Sequence, residues 1–389
     1  MLLFKNISVY SPKFIGIKDV LTCYDKIAYI SDHINIPQGS LPEVEVIDGS
    51  GLSLAPGLID LHLHIAGGGG EGGFNTRTPE VMLTSITMAG VTTCIGLLGT
   101  DGTTRSMGSL IAKSRALELE GISTYTWTGC YEVPTRTVTD SPRQDIILVD
   151  KIIGIGEIAV SDHRSSHPSA RDLVYLASEA RIGGMLSGKA GVLHIHIGDE
   201  KEGLEPVADL NRNFHIPFES LLPTHINRNK QLFRQAVEYG KLGGLLDITT
   251  GITPESPDGV EVDPAMAYKL LLDNKISPCN ITMSSDAGGS MPIFDSDGKL
   301  VKLTVGSPET NLKTIVKCLN SGMDMETALL PMTMNPAKIL KLRGKGEIKE
   351  GYDADFIVMD QNYNLKYVAA KGKIMVKDQK PKVFGTFTG

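Results

Sequence analysis

"DLHLHIAGGGGEGG", residues 60–73, sets two histidines at i and i+2 directly before four consecutive glycines. Side chains two apart in a strand point to the same face, so His62 and His64 can converge on one object. A metal ion is the natural candidate, because imidazole is a standard ligand for zinc and its neighbours. The stem in front, "PGLIDLHLH" (56–64), reads as a buried strand that ends in polar chemistry.

The same design recurs along the chain. Short β-branched runs appear about eight times: "GLIDLHLH", "GVTTCIGLLGT", "GISTYTWTGC", "IIGIGEIAVSD", "AGVLHIHIGD", "LLPTHIN", "GGLLDITTG" and "ITMSSDAGG". Between them lie segments with apolar residues at three- and four-residue spacing, such as "DLVYLASEARIGG" and "QLFRQAVEYGKLGG", several closed by the glycine expected just past a helix end. Repeated strand–helix–strand units imply parallel strands with right-handed crossovers, and eight of them imply a closed (β/α)₈ TIM-like barrel. Nearly every run finishes in His, Asp, Tyr, Glu, Thr or Asn, and the C-terminal strand ends are where such barrels build their chemistry.

The fold class expected is therefore α/β, with the barrel over residues 56–343. The flanks, 1–55 and 344–389, are strand-like with turn signals in "SPKF" and "KEGYDADFIVMD", and are too short to stand alone. They are expected to pair as one small β-sandwich, reached through a helical link in "METALLPMTMNPAKILKL".

Bulk properties narrow the function. With 41% apolar and 21% charged residues among 389, the chain reads as globular. A net charge of −7 without a Lys/Arg run argues against nucleic acid, whose phosphates need a basic footprint. No stretch has the roughly 18 apolar residues of a membrane span, and the N-terminus lacks signal-peptide character, so a cytoplasmic protein is expected. Five scattered cysteines without a CxxC read as reduced core residues. The 14 methionines and the single Trp127 read as core filling. "DSDG" (295–298) lacks calcium-loop spacing and reads as a hairpin turn.

Beyond His62 and His64, histidines end two more runs, in "HIHIGD" (His194, His196) and "PTHINR" (His225), and Asp286 ends the last in "SSDAGG". These strands are the first, fifth, sixth and eighth, and their ligands have the hardness zinc prefers. Within "HIHIGD" the histidine nearer the strand end, His196, is favoured as the ligand. His33, His163, His167 and His215 lie in loop or helical contexts and are given no such role. The glycine run is read first as a substrate loop, since backbone without Cβ can approach a ligand at positive φ, and second as a flexible surface loop. A phosphate loop would need a GK[ST] that is absent.

These residues, with "GEIKEGYDADFIVMD" near the C-terminus, resemble the amidohydrolase superfamily. "HIAGGGGEGGFNTRTPE", "GLLGTD", "TGCYEVPTRT", "SDHRS", "LLPTHINRN" and "SSDAGGSMPIFD", in that order, resemble its isoaspartyl (β-aspartyl) dipeptidases over the whole chain. The resemblance implies zinc-dependent hydrolysis of β-aspartyl dipeptides by a metal-bridged hydroxide, with Asp286 as ligand and general base. His62 and His64 would hold the more buried zinc, and His196 and His225 the more exposed one. Glu71 would pair with the substrate's α-amino group, and Arg164, Arg228 and Ser290 with its carboxylates. Gly69 and Thr100 would make close backbone contacts, and Tyr131 would donate to the developing oxyanion. A small dipeptide substrate and a homo-oligomer are also implied.

One position departs from the pattern. Relatives bridge two metals with a carboxylated lysine on strand 4, where this chain has Glu157. Other amidohydrolases, such as adenine deaminases, look to use a strand-4 glutamate as bridge, and by that resemblance Glu157 is expected to bridge two zinc ions. One metal alone, or a lysine from elsewhere, are the other possibilities; Lys151, six residues upstream and before the strand, is discounted. The competing activities are an N-acyl amino acid deacylase or a cyclic amidase, and a third reading is a homologue that has lost catalysis.

Overall fold

Eight parallel strands follow the order of the runs: β1 (Leu58–Leu63), β2 (Val91–Gly96), β3 (Ser123–Thr128), β4 (Ile152–Val160), β5 (Leu193–Ile197), β6 (Leu221–Thr224), β7 (Leu246–Thr249) and β8 (Ile281–Ser284). The structure, a computed structural model, describes residues 1–36, 44–252, 261–294 and 300–387. A helix follows every strand, and two of them, Pro142–Leu148 and Glu205–Phe214, fall where the apolar spacing singled out none. Pro at the first helical turn and short length explain why periodicity missed them.

β1 to β6 form one parallel sheet in chain order, and β7 and β8 form a second parallel pair. Side chains join the two at one edge. The buried Asp247 carboxylate accepts hydrogen bonds from Thr224 (2.7 Å), Thr282 (2.7 Å) and Ser284 (2.6 Å), which lie on β6 and β8. At the other edge the Asp286 amide donates to the His62 carbonyl (3.1 Å) and the His64 amide to the Ala287 carbonyl (2.8 Å), so the end of β8 lies beside β1.

The strands are buried on both faces, which is why they read as near-continuous apolar runs. Ile59, Leu61, Ile95, Leu97, Trp127 and Leu222 form one cluster. Leu58, Val91, Ile155, Leu193 and Leu221 form another with helical residues such as Leu110 and Leu176. The helical link appears as expected, and its Leu340 and Leu342 join the first cluster.

Both termini contribute to one nine-stranded sheet, in which Ser53–Pro56 pairs antiparallel with Phe356–Met359. Its buried side holds Phe4, Ile7, Leu54, Phe356 and Val358, with Phe4 and Phe356 edge to face at 5.3 Å. The cysteine expectation holds only in part: Cys94, Cys130 and Cys318 are buried, but Cys23 is half-buried and Cys279 exposed in a short turn before β8. All five are free thiols. The "DSDG" turn lies outside the described residues; the strands on either side of it, Ser290–Phe294 and Leu300–Val305, pair antiparallel.

Candidate metal centre and active site

Glu157 is fully buried in β4, with its two oxygens turned to different histidine pairs. Its Oε1 lies 3.6 Å from His62 Nε2 and 3.7 Å from His64 Nε2. Its Oε2 lies 3.1 Å from His196 Nδ1 and 3.4 Å from His225 Nε2. Asp286 Oδ1 completes the first group, 3.5 Å from His62 Nε2 and 3.0 Å from His64 Nε2. Two ligand sets emerge, His62–His64–Asp286 and His62–Glu157–His225. All six side chains named from sequence therefore converge.

Local backbone supports the convergence. His225 (φ 63°) and Asp286 (φ 57°) both adopt the left-handed region just past their strands, a conformation uncommon outside glycine but tolerated better by Asp and His than by most residues. Gly99 lets the loop after β2 close on the cluster, since a Cβ there would stand 2.8 Å from His64 Cε1. Lys151, already discounted as a bridge, is engaged elsewhere: its ammonium binds the Thr124 carbonyl at 3.0 Å and pairs with Glu118, about 20 Å along the strand direction from Glu157.

A chain of hydrogen bonds fixes the inner imidazole. His194 stacks on Trp127 at 4.9 Å, and burial keeps its pKa well below the ordinary value, so it is neutral. Its Nδ1 lies 2.9 Å from the Leu222 carbonyl, which can only accept. Nε2 is then a lone pair, and it accepts from His62 Nδ1 at 2.8 Å. His62 Nε2 is left facing Glu157 and Asp286. A His194→Phe variant keeps the ring stack but removes this acceptor, and zinc affinity measured by chelator competition is expected to fall roughly tenfold or more. Unchanged affinity would reduce His194 to packing.

The electrostatics favour a cation. Burial alone would lower the His62 pKa, but Glu157 and Asp286 hold it well above the ordinary value. Burial alone would likewise raise both carboxyls, yet neighbouring imidazoles, His62 foremost, hold each well below its usual range. His225 is pushed down to about 3 by burial, and its Nδ1 is tied to Thr249 Oγ1 at 2.7 Å, so its Nε2 is free to coordinate. His62 Nε2, His64 Nδ1 and Glu157 Oε1 are buried without a hydrogen-bond partner, a costly state for polar atoms. Donor type, burial and these orphaned atoms all fit a bound metal.

A second cluster stands at the rim. Glu71 Oε1 lies 3.3 Å from Arg164 Nη1 and 3.4 Å from Thr100 Oγ1, and Ser290 Oγ donates to Glu71 Oε2 at 3.0 Å. The glycine run makes this possible: Gly69 has φ 68°, and a Cβ there would fall 2.6 Å from the Thr76 carbonyl and 3.3 Å from Ser290 Cβ. Tyr131 links the two clusters, with its hydroxyl 2.8 Å from His196 Nδ1 and its ring 5.4 Å from the Arg164 guanidinium carbon. Arg228 stands apart, 3.8 Å from Asp199, with its Nε buried and unpartnered.

His194, named from sequence but passed over as a ligand, stands behind His62, and two residues escaped the sequence reading: Thr249 behind His225, and Asp162, which contacts both His196 and Arg164. Only Asp162 carried a local signal. An Asp two residues before Arg164 can cap that residue's amide in an Asx turn, as it does at 2.8 Å.

The chain is similar to known proteins to differing degrees. Residues 260–377 match the model of the amidohydrolase family. Two solved structures of a β-aspartyl dipeptidase from thermophilic, keratin-degrading Fervidobacterium islandicum AW-1 are 43% and 42% identical, with TM-scores of 0.90 and 0.88. The first, in complex with a β-Asp-Leu dipeptide, is matched over 99% of this chain and 98% of its own, and the second over 99% of each. An adenine deaminase from Clostridium perfringens is 23% identical over 97% of this chain, which spans only 59% of that protein's length. Identity above 40% from end to end places the chain in the amidohydrolase superfamily, in the family of the β-aspartyl dipeptidases.

Proposed function

We propose that the chain hydrolyses β-aspartyl dipeptides, using two zinc ions held by His62, His64 and Asp286 on one side and His196 and His225 on the other, with Glu157 between them. The observation that carries the reading is the pairing of Glu71 with Arg164 beside the buried histidine cluster. A dipeptide with a free amine and two carboxylates needs one acidic and several basic partners beside the scissile bond. The eight parallel strands act as one closed barrel over 56–343, and residues 1–55 with 344–389 as one small β domain. Five unpaired cysteines support a reducing, cytoplasmic setting.

Bound zinc supplies Lewis-acid polarisation of the scissile carbonyl and a more acidic water. The protein does the rest. Asp286 takes the proton of the attacking water and delivers it to the leaving amine. Tyr131 donates its hydroxyl proton in a hydrogen bond to the carbonyl oxygen as charge develops there; burial first, and then Glu157, keep its pKa well above the ordinary value, so the donor stays protonated. Glu71 binds the α-ammonium, and Arg164, Arg228 and Ser290 bind carboxylates. The isopeptide bond is thereby placed at the cluster, and an α-linked isomer is set out of register.

The test is turnover of β-Asp-Leu, α-Asp-Leu and N-acetyl-β-Asp-Leu, before and after chelation. Cleavage of the free β isomer alone, lost on chelation and restored by zinc, is expected. Cleavage of the N-acetylated compound at a comparable rate would overturn the role of Glu71 and point to a deacylase.

A further inference from the structure

Asp162 lies two residues past the end of β4 and is 2% exposed. Its carboxylate makes four charge-assisted hydrogen bonds. Oδ1 accepts from the Arg164 amide (2.8 Å) and Arg164 Nε (2.9 Å); Oδ2 accepts from Arg164 Nη2 (2.7 Å) and His196 Nε2 (2.9 Å). The exposed His163 approaches Oδ1 no closer than 3.6 Å. A surface ion pair would contribute little, but this one is buried and shared between two groups of different function.

An ionised carboxylate only accepts, so His196 Nε2 carries a proton and donates it to Asp162, which leaves Nδ1 as the nitrogen that can offer a lone pair to a metal. Nδ1 lies 3.1 Å from Glu157 Oε2 and 2.8 Å from the Tyr131 hydroxyl. The same carboxylate grips the Arg164 guanidinium side-on through Nε and Nη2, which leaves Nη1 turned toward Glu71.

We propose that Asp162 is a positioning residue that sets, with one carboxylate, both the metal-binding tautomer of His196 and the orientation of Arg164, so that metal affinity and substrate affinity depend on a single side chain. The proposal deepens the dipeptidase reading and rests on it for the substrate half. A metal held by His196 Nδ1 would displace the Tyr131 hydroxyl, now 2.8 Å from that nitrogen, and so leave the hydroxyl free for substrate.

The variant that tests this is Asp162→Asn. An amide can donate to His196 Nε2 and so stabilise the opposite tautomer, with Nδ1 protonated. Zinc affinity by chelator competition is expected to fall roughly 10- to 100-fold. At saturating zinc, KM for β-Asp-Leu is expected to rise about tenfold or more while kcat falls less, since the damage is to carboxylate binding. In an Arg164→Ala background the same change should raise KM less than about threefold, because the partner through which it acts is gone. Loss of only one of the two affinities, or of thermal stability alone, overturns the proposal. If Asp162→Asn does not fold, Asp162→Ser reads the same quantities. If the wild-type chain cleaves no β-aspartyl dipeptide, the functional reading falls, and the zinc titration decides by itself: an affinity loss supports the His196 role and equal affinity refutes it.

Discussion

Glu157→Gln is expected to lower the zinc content of the folded chain from about two per chain to one or none, and to lower β-Asp-Leu turnover on the order of 10³-fold. The expectation follows from how the carboxylate is divided. One oxygen lies within 3.7 Å of His62 and His64, and the other within 3.4 Å of His196 and His225. Glutamine keeps the shape but has one oxygen, and its amide group turns two donor protons toward nitrogens that must offer lone pairs. One of the two histidine pairs therefore loses its anionic partner. Folding should survive, because the substitution is isosteric and removes a buried charge whose Oε1 has no hydrogen-bond partner. Metal analysis, circular dichroism and kinetics on one preparation check it. A variant that retained its full zinc and turned over within about tenfold of wild type, an effect of only ~1.4 kcal/mol, would show that Glu157 is not the bridge.

The site was legible where chemistry coincides with periodicity. His62, His64, His196, His225 and Asp286 all end apolar runs, and a parallel strand buried on both faces leaves few other places for a polar residue. Glu157 could be placed by register from "SDHR", but its reach could not, since the approach of four imidazoles depends on strands far apart in sequence. The supporting atoms were illegible for the same reason. That His194 shares a face with His196 follows from their spacing; that its Nε2 holds His62 depends on the packing of β5 against β1 around Trp127. At the termini, turn signals marked off the strand-like runs, but the antiparallel pairing of Leu54 with Val358 joins segments some three hundred residues apart, and no local pattern encodes it. Sequence thus led to an expected sandwich, where hydrogen bonding joins one nine-stranded sheet.

Lys345→Met is expected to destabilise the chain by about 3–5 kcal/mol, although it lies far from any residue named for catalysis. Lys345 has a side chain only 3% exposed and pairs with Asp353 (2.7 Å) and with Asp355, while its ammonium also donates to Ser123 Oγ (2.6 Å) at the start of β3. It therefore ties the parallel sheet to the terminal one through a charge that cannot reach water. Removing the cation leaves Asp355, 6% exposed, without its counter-charge, and an uncompensated buried charge costs more than the pair contributes. Adding Asp355→Asn should recover part of the loss, since the amide oxygen can still accept from the Lys371 amide that now binds Asp355 (2.7 Å). The pH dependence has a definite sign. Burial would raise the Asp353 carboxyl, but Lys345 and Lys26 hold it below the usual range, so its contribution is complete above about pH 4 and fades as pH falls through the lower folded value. Burial would lower Lys345, but Asp355 and Asp353 raise it, so its contribution is complete below about pH 10 and fades as pH rises through the higher folded value. Urea unfolding of wild type and variant should thus differ most between these limits and converge beyond either. A difference under about 1 kcal/mol, the scale of an exposed pair, would mean that water reaches the ammonium and that the two sheets are held together by apolar contact alone.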